Sequence, residues 1–233
     1  MLTVLHLSPH PDDEVLGAGA TLLGLRDAGH RIINLACSLG RPDQHDRRRA
    51  EVTEACARAG FELVVHDPPL GLSEHDDAFA ARQLLGRTLE TLITEERVDL
   101  LISPDRDDAH HAHKTVAAVA RTAGVPWWTW GLWRDLARPT IFSPFGDRRL
   151  AELQHVLAAH RGEVDRNDYH DLLRARAISA RILGAERVFG FGSERRADEP
   201  YAELLADGGH APQPKGCSRS STRPGPPSAS SSA

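Results

Sequence analysis

Short apolar runs alternate along the chain with longer stretches in which apolar residues recur every three or four positions. Thr3–Leu7 (TVLHL), Arg31–Cys37 (RIINLAC), Glu62–His66 (ELVVH) and Asp99–Ser103 (DLLIS) read as strands. Between them, Val15–Ala28, Arg47–Ala59 and Ala78–Glu95 carry helical spacing, the first two closed by Gly29 and Gly60, and His111–Ala123 follows the fourth strand. Strand–helix alternation of this kind predicts an α/β fold with a mostly parallel, doubly wound sheet and helices on both faces.

Beyond Gly124 the rhythm changes. Trp127–Trp133 (WWTWGLW) reads as an aromatic strand and Thr140–Pro144 as another. Leu150–His160 and Tyr169–Leu183 read as helices, and Val188–Phe191 as a short strand. These form a small C-terminal α+β extension on the same core, giving one domain over residues 1–206. From about Asp207 the chain turns to Gly, Pro and Ser. Such a segment buries too little apolar surface to offset its ordering entropy, so 207–233 is expected to be a disordered tail without a catalytic role.

Composition narrows the function classes. The chain has 233 residues and a formal net charge of −5, which gives no basic surface for nucleic acid. No apolar run approaches the roughly 20 residues of a membrane span, and the first residues lack the pattern of a signal peptide. Cys37, Cys56 and Cys217 are odd in number and widely spaced, so a reducing cytoplasm is expected. Histidine is the unusual residue: there are 13, several in tight groups.

The first group is Ser8-Pro9-His10-Pro11-Asp12-Asp13-Glu14, at the carboxyl end of the first strand, where open α/β sheets place their ligands. His10 and Asp13 can coordinate a metal, with Asp12 beside it as a base. Helix capping is the plain alternative, since acids favour a helix N-terminus. Capping accounts for one or two acids, but not for the histidine or the stiffening prolines. Gly17-Ala18-Gly19 follows, but the preceding acids would repel a dinucleotide phosphate, so these small residues are read as permitting close helix–sheet packing.

The second group, Pro104–Lys114 (PDRDDAHHAHK), follows the fourth strand. His113 can complete a His/Asp/His set with His10 and Asp13, the mixture that zinc accepts while leaving a position for water. The alternative is a solvated polar helix start. Asp108 can either orient His110 or His113 or simply cap the helix.

These residues resemble the PIG-L/LmbE-like family of zinc-dependent N-acetylglucosaminyl deacetylases. Its first motif, (A/P)HPDDE before a Gly-rich helix, is matched by Pro9–Glu14. Its second, HPDH, is matched in its histidines by His110-His111-Ala112-His113. The similarity runs over about residues 2–192. It implies a Rossmann-like mostly parallel sheet, one Zn2+ (or Fe2+) per chain on His10, Asp13 and His113, Asp12 as general base, and His110 stabilising or protonating the intermediate. Arg48, from Arg48-Arg49-Ala50-Glu51, would approach the substrate, an N-acetylated amino sugar; a solvated surface charge is the other reading of this arginine.

Departures from the family pattern are His111-Ala112 for Pro-Asp, Asp108 where some members carry tyrosine, and His160-Arg161-Gly162-Glu163 for H-x-S-Q. Trp127, Trp128, Trp130 and Trp133 offer either core or a stacking face, core being the usual fate. Glu74 and Asp76 are candidate sugar contacts. Competing readings are a zinc amidase for another acyl group or a thiol conjugate, and a non-catalytic metal- or sugar-binding protein, which would have no need of Asp12. Oligomerisation into homo-oligomers stays open.

Overall fold

A computed structural model describes residues 1–192, 198–208 and 218–219. Among the described residues, eight strands form one sheet: β1 (Thr3–Ser8), β2 (Arg31–Ala36), β3 (Glu62–Val65), β4 (Leu100–Pro104), β5 (Trp127–Trp130), β6 (Ile141–Phe145), β7 (Tyr201–Asp207) and β8 (Ser218–Arg219). Their order is β3-β2-β1-β4-β5-β7-β6-β8. The first five are parallel; β7 joins β5 antiparallel, and β6 pairs antiparallel with both β7 and β8. The helices are α1 (Asp13–Leu16), α2 (Gly19–Asp27), α3 (His45–Ala59), α4 (Ala78–Glu96), α5 (His111–Ala120), α6 (Asp147–Leu157), α7 (Arg161–Val164) and α8 (Tyr169–Phe189).

The central strands β1, β2 and β4 are almost wholly buried, as both faces of a parallel sheet must be when helices cover them. One apolar cluster lies under α2, α3 and α6, and a second under α4 and α5. The chain winds outward from β1 to β3 and then crosses back to β4. The carboxyl ends of β1 and β4 are therefore neighbours at the point where strand order reverses, which is where such sheets hold ligands.

Several predicted elements are corrected. The expected helix Val15–Ala28 is broken at Gly17-Ala18, because the Trp130 ring lies against Gly17 and α1 follows the loop. The predicted strand Trp127–Trp133 ends at Trp130. Val188–Phe191 is no strand: α8 runs on to Phe189, with Val188 packed in a small cluster beside Phe142 and Ala202. Tyr201–Asp207 was not predicted; it reaches the boundary expected for the tail, and Ser218–Arg219 within that tail pair with β6. The rest of the expected tail lies outside the described residues. No helix among the described residues is long and apolar enough to cross a membrane.

Candidate metal and catalytic site

The loop after β1 and the start of α5 after β4 converge. Asp13 Oδ2 accepts the His10 N–H at 2.8 Å and lies 3.3 Å from His10 Nδ1, while Asp13 Oδ1 lies 3.4 Å from His113 Nε2. Ligand nitrogens of His10, His110 and His113 all fall within 4.8 Å of one another. The three histidines form one close group, and Asp13 lies against two of them, His10 and His113.

Electrostatics bear on whether this set suits a cation. His113 is wholly buried, and neither ring nitrogen has a hydrogen-bond partner despite a carboxylate near each. Burial would lower its pKa, but Asp13 and Asp108 outweigh that and raise it to about 10. Burial likewise opposes the Asp13 charge, and His113 and His10 hold its carboxyl well below the usual carboxylate range. The carboxylates thus demand a positive charge at this spot. A divalent ion would take the place of the proton and occupy the unpartnered Nε2, so the donor set fits zinc or ferrous iron.

Asp12 stands apart from the pairing. It is buried, with φ of 113°, a left-handed backbone that a side chain other than glycine adopts at a cost of about 1–3 kcal/mol. Its N–H donates to Glu14 Oε2 at 3.0 Å, and Glu14 Oε1 meets His160 Nε2 at 2.5 Å, both partners fully buried. Burial and the Asp13 charge push the Asp12 pKa well above its ordinary value. A carboxylate whose proton affinity is raised in this way is suited to accept a proton.

His110 forms the N-cap of α5. Its Nδ1 accepts the Ala112 N–H at 3.2 Å, leaving Nε2 as the available nitrogen. Burial and the neighbouring histidines His10, His113 and His111 bring its pKa down to about 4. Its ring is then a neutral Nε2–H donor. Asp108 is not the helix cap: Oδ1 lies 3.3 Å from His113 Nδ1 and accepts the His110 N–H, while Oδ2 accepts the N–H groups of Leu132 and Trp133.

Arg48 is buried, not a solvated surface charge. It donates to Glu163 Oε1 at 2.9 Å and to the Pro11 carbonyl at 3.0 Å, tying α3 to α7 and to the first loop. Below the site, a polar chain runs through the sheet. Trp130 Nε1–H donates to His6 Nε2 at 3.0 Å, so His6 Nδ1–H donates to Asn34 Oδ1 at 2.8 Å. The Trp130 ring meets His113 edge-on at 5.2 Å. Sequence reasoning missed this chain and the Glu14–His160 pair, although His160 stood in view as a departure from a motif.

Two clefts open from the histidines. One, of about 170 Å³, is lined by Asp12, Asp13, Arg48, Trp133, Glu163, Arg166 and Tyr169. The other, of about 510 Å³, is lined by Ser38, Arg41, His45, Leu70, Leu72 and His111 among others. Asp76 borders the wider cleft, its carboxylate accepting the Ser73 N–H, whereas Glu74 lies largely exposed beside His111. Trp127, Trp128 and Trp130 are buried; Trp133 is not.

The PIG-L family, described as GlcNAc-PI de-N-acetylase, matches residues 5–124. No curated protein matches the chain. Among solved structures, N,N'-diacetylchitobiose deacetylase from Pyrococcus horikoshii is similar at 17% identity and a TM-score of 0.64, covering 88% of this chain and 84% of that one. The zinc-inhibited form of teicoplanin deacetylase shares 13% identity at a TM-score of 0.66, covering 95% and 100%. GalB, the 4-carboxy-2-hydroxymuconate hydratase from Pseudomonas putida, shares 17% at 0.65, covering 92% and 99%. At these identities the likeness establishes the fold alone, and a hydratase among the neighbours shows why the chemistry has to be argued from the site.

Proposed function

The chain belongs to the PIG-L family, and from that premise we propose that it is a zinc-dependent hydrolase removing the N-acetyl group from an N-acetylglucosamine-containing small molecule or glycoconjugate. The observation that carries this reading is Asp12: a buried carboxylate in a strained backbone conformation, lining the same cleft as His10, Asp13 and His110. A protein that only bound metal would gain nothing from it.

His10, Asp13 and His113 would hold a divalent ion, which would supply Lewis acidity and lower the pKa of water towards neutrality. Asp12 accepts the proton of the attacking water. His110, through Nε2–H, donates a hydrogen bond to the oxygen on which charge develops as the acetyl carbonyl becomes tetrahedral. Asp12, now protonated, passes its proton to the departing amine, and acetate and a free amino sugar leave. Arg48, fixed by Glu163 and the Pro11 carbonyl, borders the cleft in which the sugar would lie. Buried, unpaired Cys37 and Cys56 suit a reducing cytoplasm.

A second reading keeps the chemistry and enlarges the acyl group. It is favoured by the wider cleft beside His10 and His110, whose wall includes Leu70 and Leu72. Zinc-loaded protein incubated with a panel of N-acyl glucosaminides separates the two readings by assay of free amine and of the acid released. Acetate release from N-acetylglucosaminides, abolished in Asp12→Asn with zinc retained, supports the first. Release of longer acids in preference to acetate supports the second. Unimpaired turnover by Asp12→Asn would remove the basis of both.

A further inference from the structure

We propose that Trp133 is a platform on which a pyranose ring of the substrate stacks, which makes it a specificity-determining residue. The inference rests on the sugar substrate proposed above.

Exposure divides the four tryptophans. Trp127, Trp128 and Trp130 are 7%, 1% and 0% exposed, whereas Trp133 is 44% exposed. It borders the same cleft as Asp12 and His110. A half-exposed indole forgoes part of the stabilisation that full burial of so large a side chain brings, and here the backbone that carries it is nevertheless held firmly.

The restraint comes from both sides of the loop that follows β5. Asp108 Oδ2 accepts the N–H groups of Leu132 at 2.9 Å and Trp133 at 3.1 Å. Arg176, from α8, donates to the Leu132 carbonyl at 2.7 Å and also to that of Gly131, and Arg187 donates to the Leu136 carbonyl. Asp108 is also the carboxylate beside His113. The backbone that presents Trp133 is thereby pinned to the backbone that presents the catalytic cluster.

The neighbouring wall suits a sugar. Tyr169, buried, lies with its ring centroid 6.5 Å from that of Trp133. Arg166 reaches across the Tyr169 ring to its hydroxyl at 3.0 Å and to Glu163 Oε2 at 2.6 Å. A pyranose has one face of C–H groups and a rim of hydroxyls. Trp133 meets the first, and Arg166 with Glu163 the second. The Arg166 side chain is 61% exposed, so a ligand in the cleft can reach it.

The test uses the zinc-loaded full chain as wild type, Trp133→Leu and Trp133→Phe. Each is titrated with methyl glucosaminide, which carries no acetyl group to cleave, by calorimetry and by tryptophan fluorescence. The expected result is a fluorescence change in the wild type that is absent from Trp133→Leu, with affinity about tenfold weaker there and mostly restored in Trp133→Phe. With the N-acetyl counterpart, KM should rise in Trp133→Leu while kcat stays within about twofold, the signature of lost uniform binding. Equal affinity in wild type and Trp133→Leu, wild-type binding without a fluorescence change, or no wild-type binding overturns the proposal. If the sugar binds through Trp133 but its N-acetyl form releases no acetate, the deacetylase reading fails and the platform stands.

Discussion

Asp108 Oδ1 lies 3.3 Å from His113 Nδ1, on the opposite side of the imidazole from Asp13. His113 thus stands between two carboxylates, with Nε2 turned to the proposed ion and Nδ1 to its supporting partner. Burial opposes the Asp108 charge, yet His113 and the backbone donors hold its carboxyl down to about 2. It therefore stays ionised, and once an ion displaces the Nε2 proton it would keep the remaining proton on Nδ1. Asp108→Ala should weaken zinc binding about 10–100-fold, read by competition against a chromophoric chelator. Unchanged zinc affinity would leave Asp108 a purely structural anchor of the loop at Leu132 and Trp133.

Gly17→Ala tests the packing that supports the same histidine. A Cβ at Gly17 would come 2.6 Å from the Trp130 ring, which is fully buried and cannot yield freely. Overpacking of this kind costs about 1–3 kcal/mol. Trp130 also donates to His6 and meets His113 edge-on, so its displacement should reach the proposed metal ligand. Chemical denaturation should show the lost stability, and zinc titration a weaker site. A variant as stable as wild type would mean that α1 slides at Gly17-Ala18 without strain.

The strand–helix alternation and the two acid- and histidine-rich loops were legible because each is local: period, punctuation and residue type all fall within a short window. The meeting of His10 with His113 follows from the sheet order, because a chain that reverses after β3 must set β4 beside β1. Other features depend on partners far along the chain. Tyr201–Asp207 becomes a strand by antiparallel pairing with β5 and β6, and it stands at the edge of a Gly/Pro/Ser-rich stretch that obscures it. Nothing in WWTWGLW tells that β5 stops at Trp130 and leaves Trp133 exposed; Asp108, Arg176 and Arg187 decide that. Arg48, within a run of three arginines, reads equally well as a surface residue until Glu163 is found beside it.

Glu203 offers a control far from the chemistry. Helix α2 has no capping side chain of its own; instead Glu203 on β7 accepts the N–H groups of Ala20 at 2.7 Å and Thr21 at 2.8 Å. This is an N-cap supplied from across the fold. Glu203→Ala should lower stability by about 1–2 kcal/mol, the usual cost of losing a cap, and leave zinc affinity unchanged. Thermal or urea unfolding measures the first and chelator competition the second. A loss of zinc binding in folded protein would show that α2 transmits to the ligand loop.

His160→Gln tests whether the Glu14–His160 pair supports the base. Both side chains are fully buried, and Glu14 also accepts the Asp12 N–H. Removing the histidine charge leaves a buried carboxylate without its counter-ion, a loss of about 3–5 kcal/mol for a broken buried pair. The pH dependence follows from the two shifts. Burial opposes both charges, but Glu14 raises the His160 pKa above 6.5, and His160 lowers that of Glu14 below 4.5. The contribution of His160 is complete below pH 6.5 and fades as pH rises through its folded-state value. That of Glu14 is complete above pH 4.5 and fades as pH falls through its own. The stability difference between wild type and variant should therefore be greatest between pH 4.5 and 6.5 and shrink on either side. Urea midpoints measured across that range check it, and a difference that grows above pH 6.5 would mean the pair is not ionic. Turnover should fall along with stability, because Glu14 freed from His160 no longer fixes Asp12 at its left-handed φ. Full activity in folded His160→Gln would show that the loop holds Asp12 unaided.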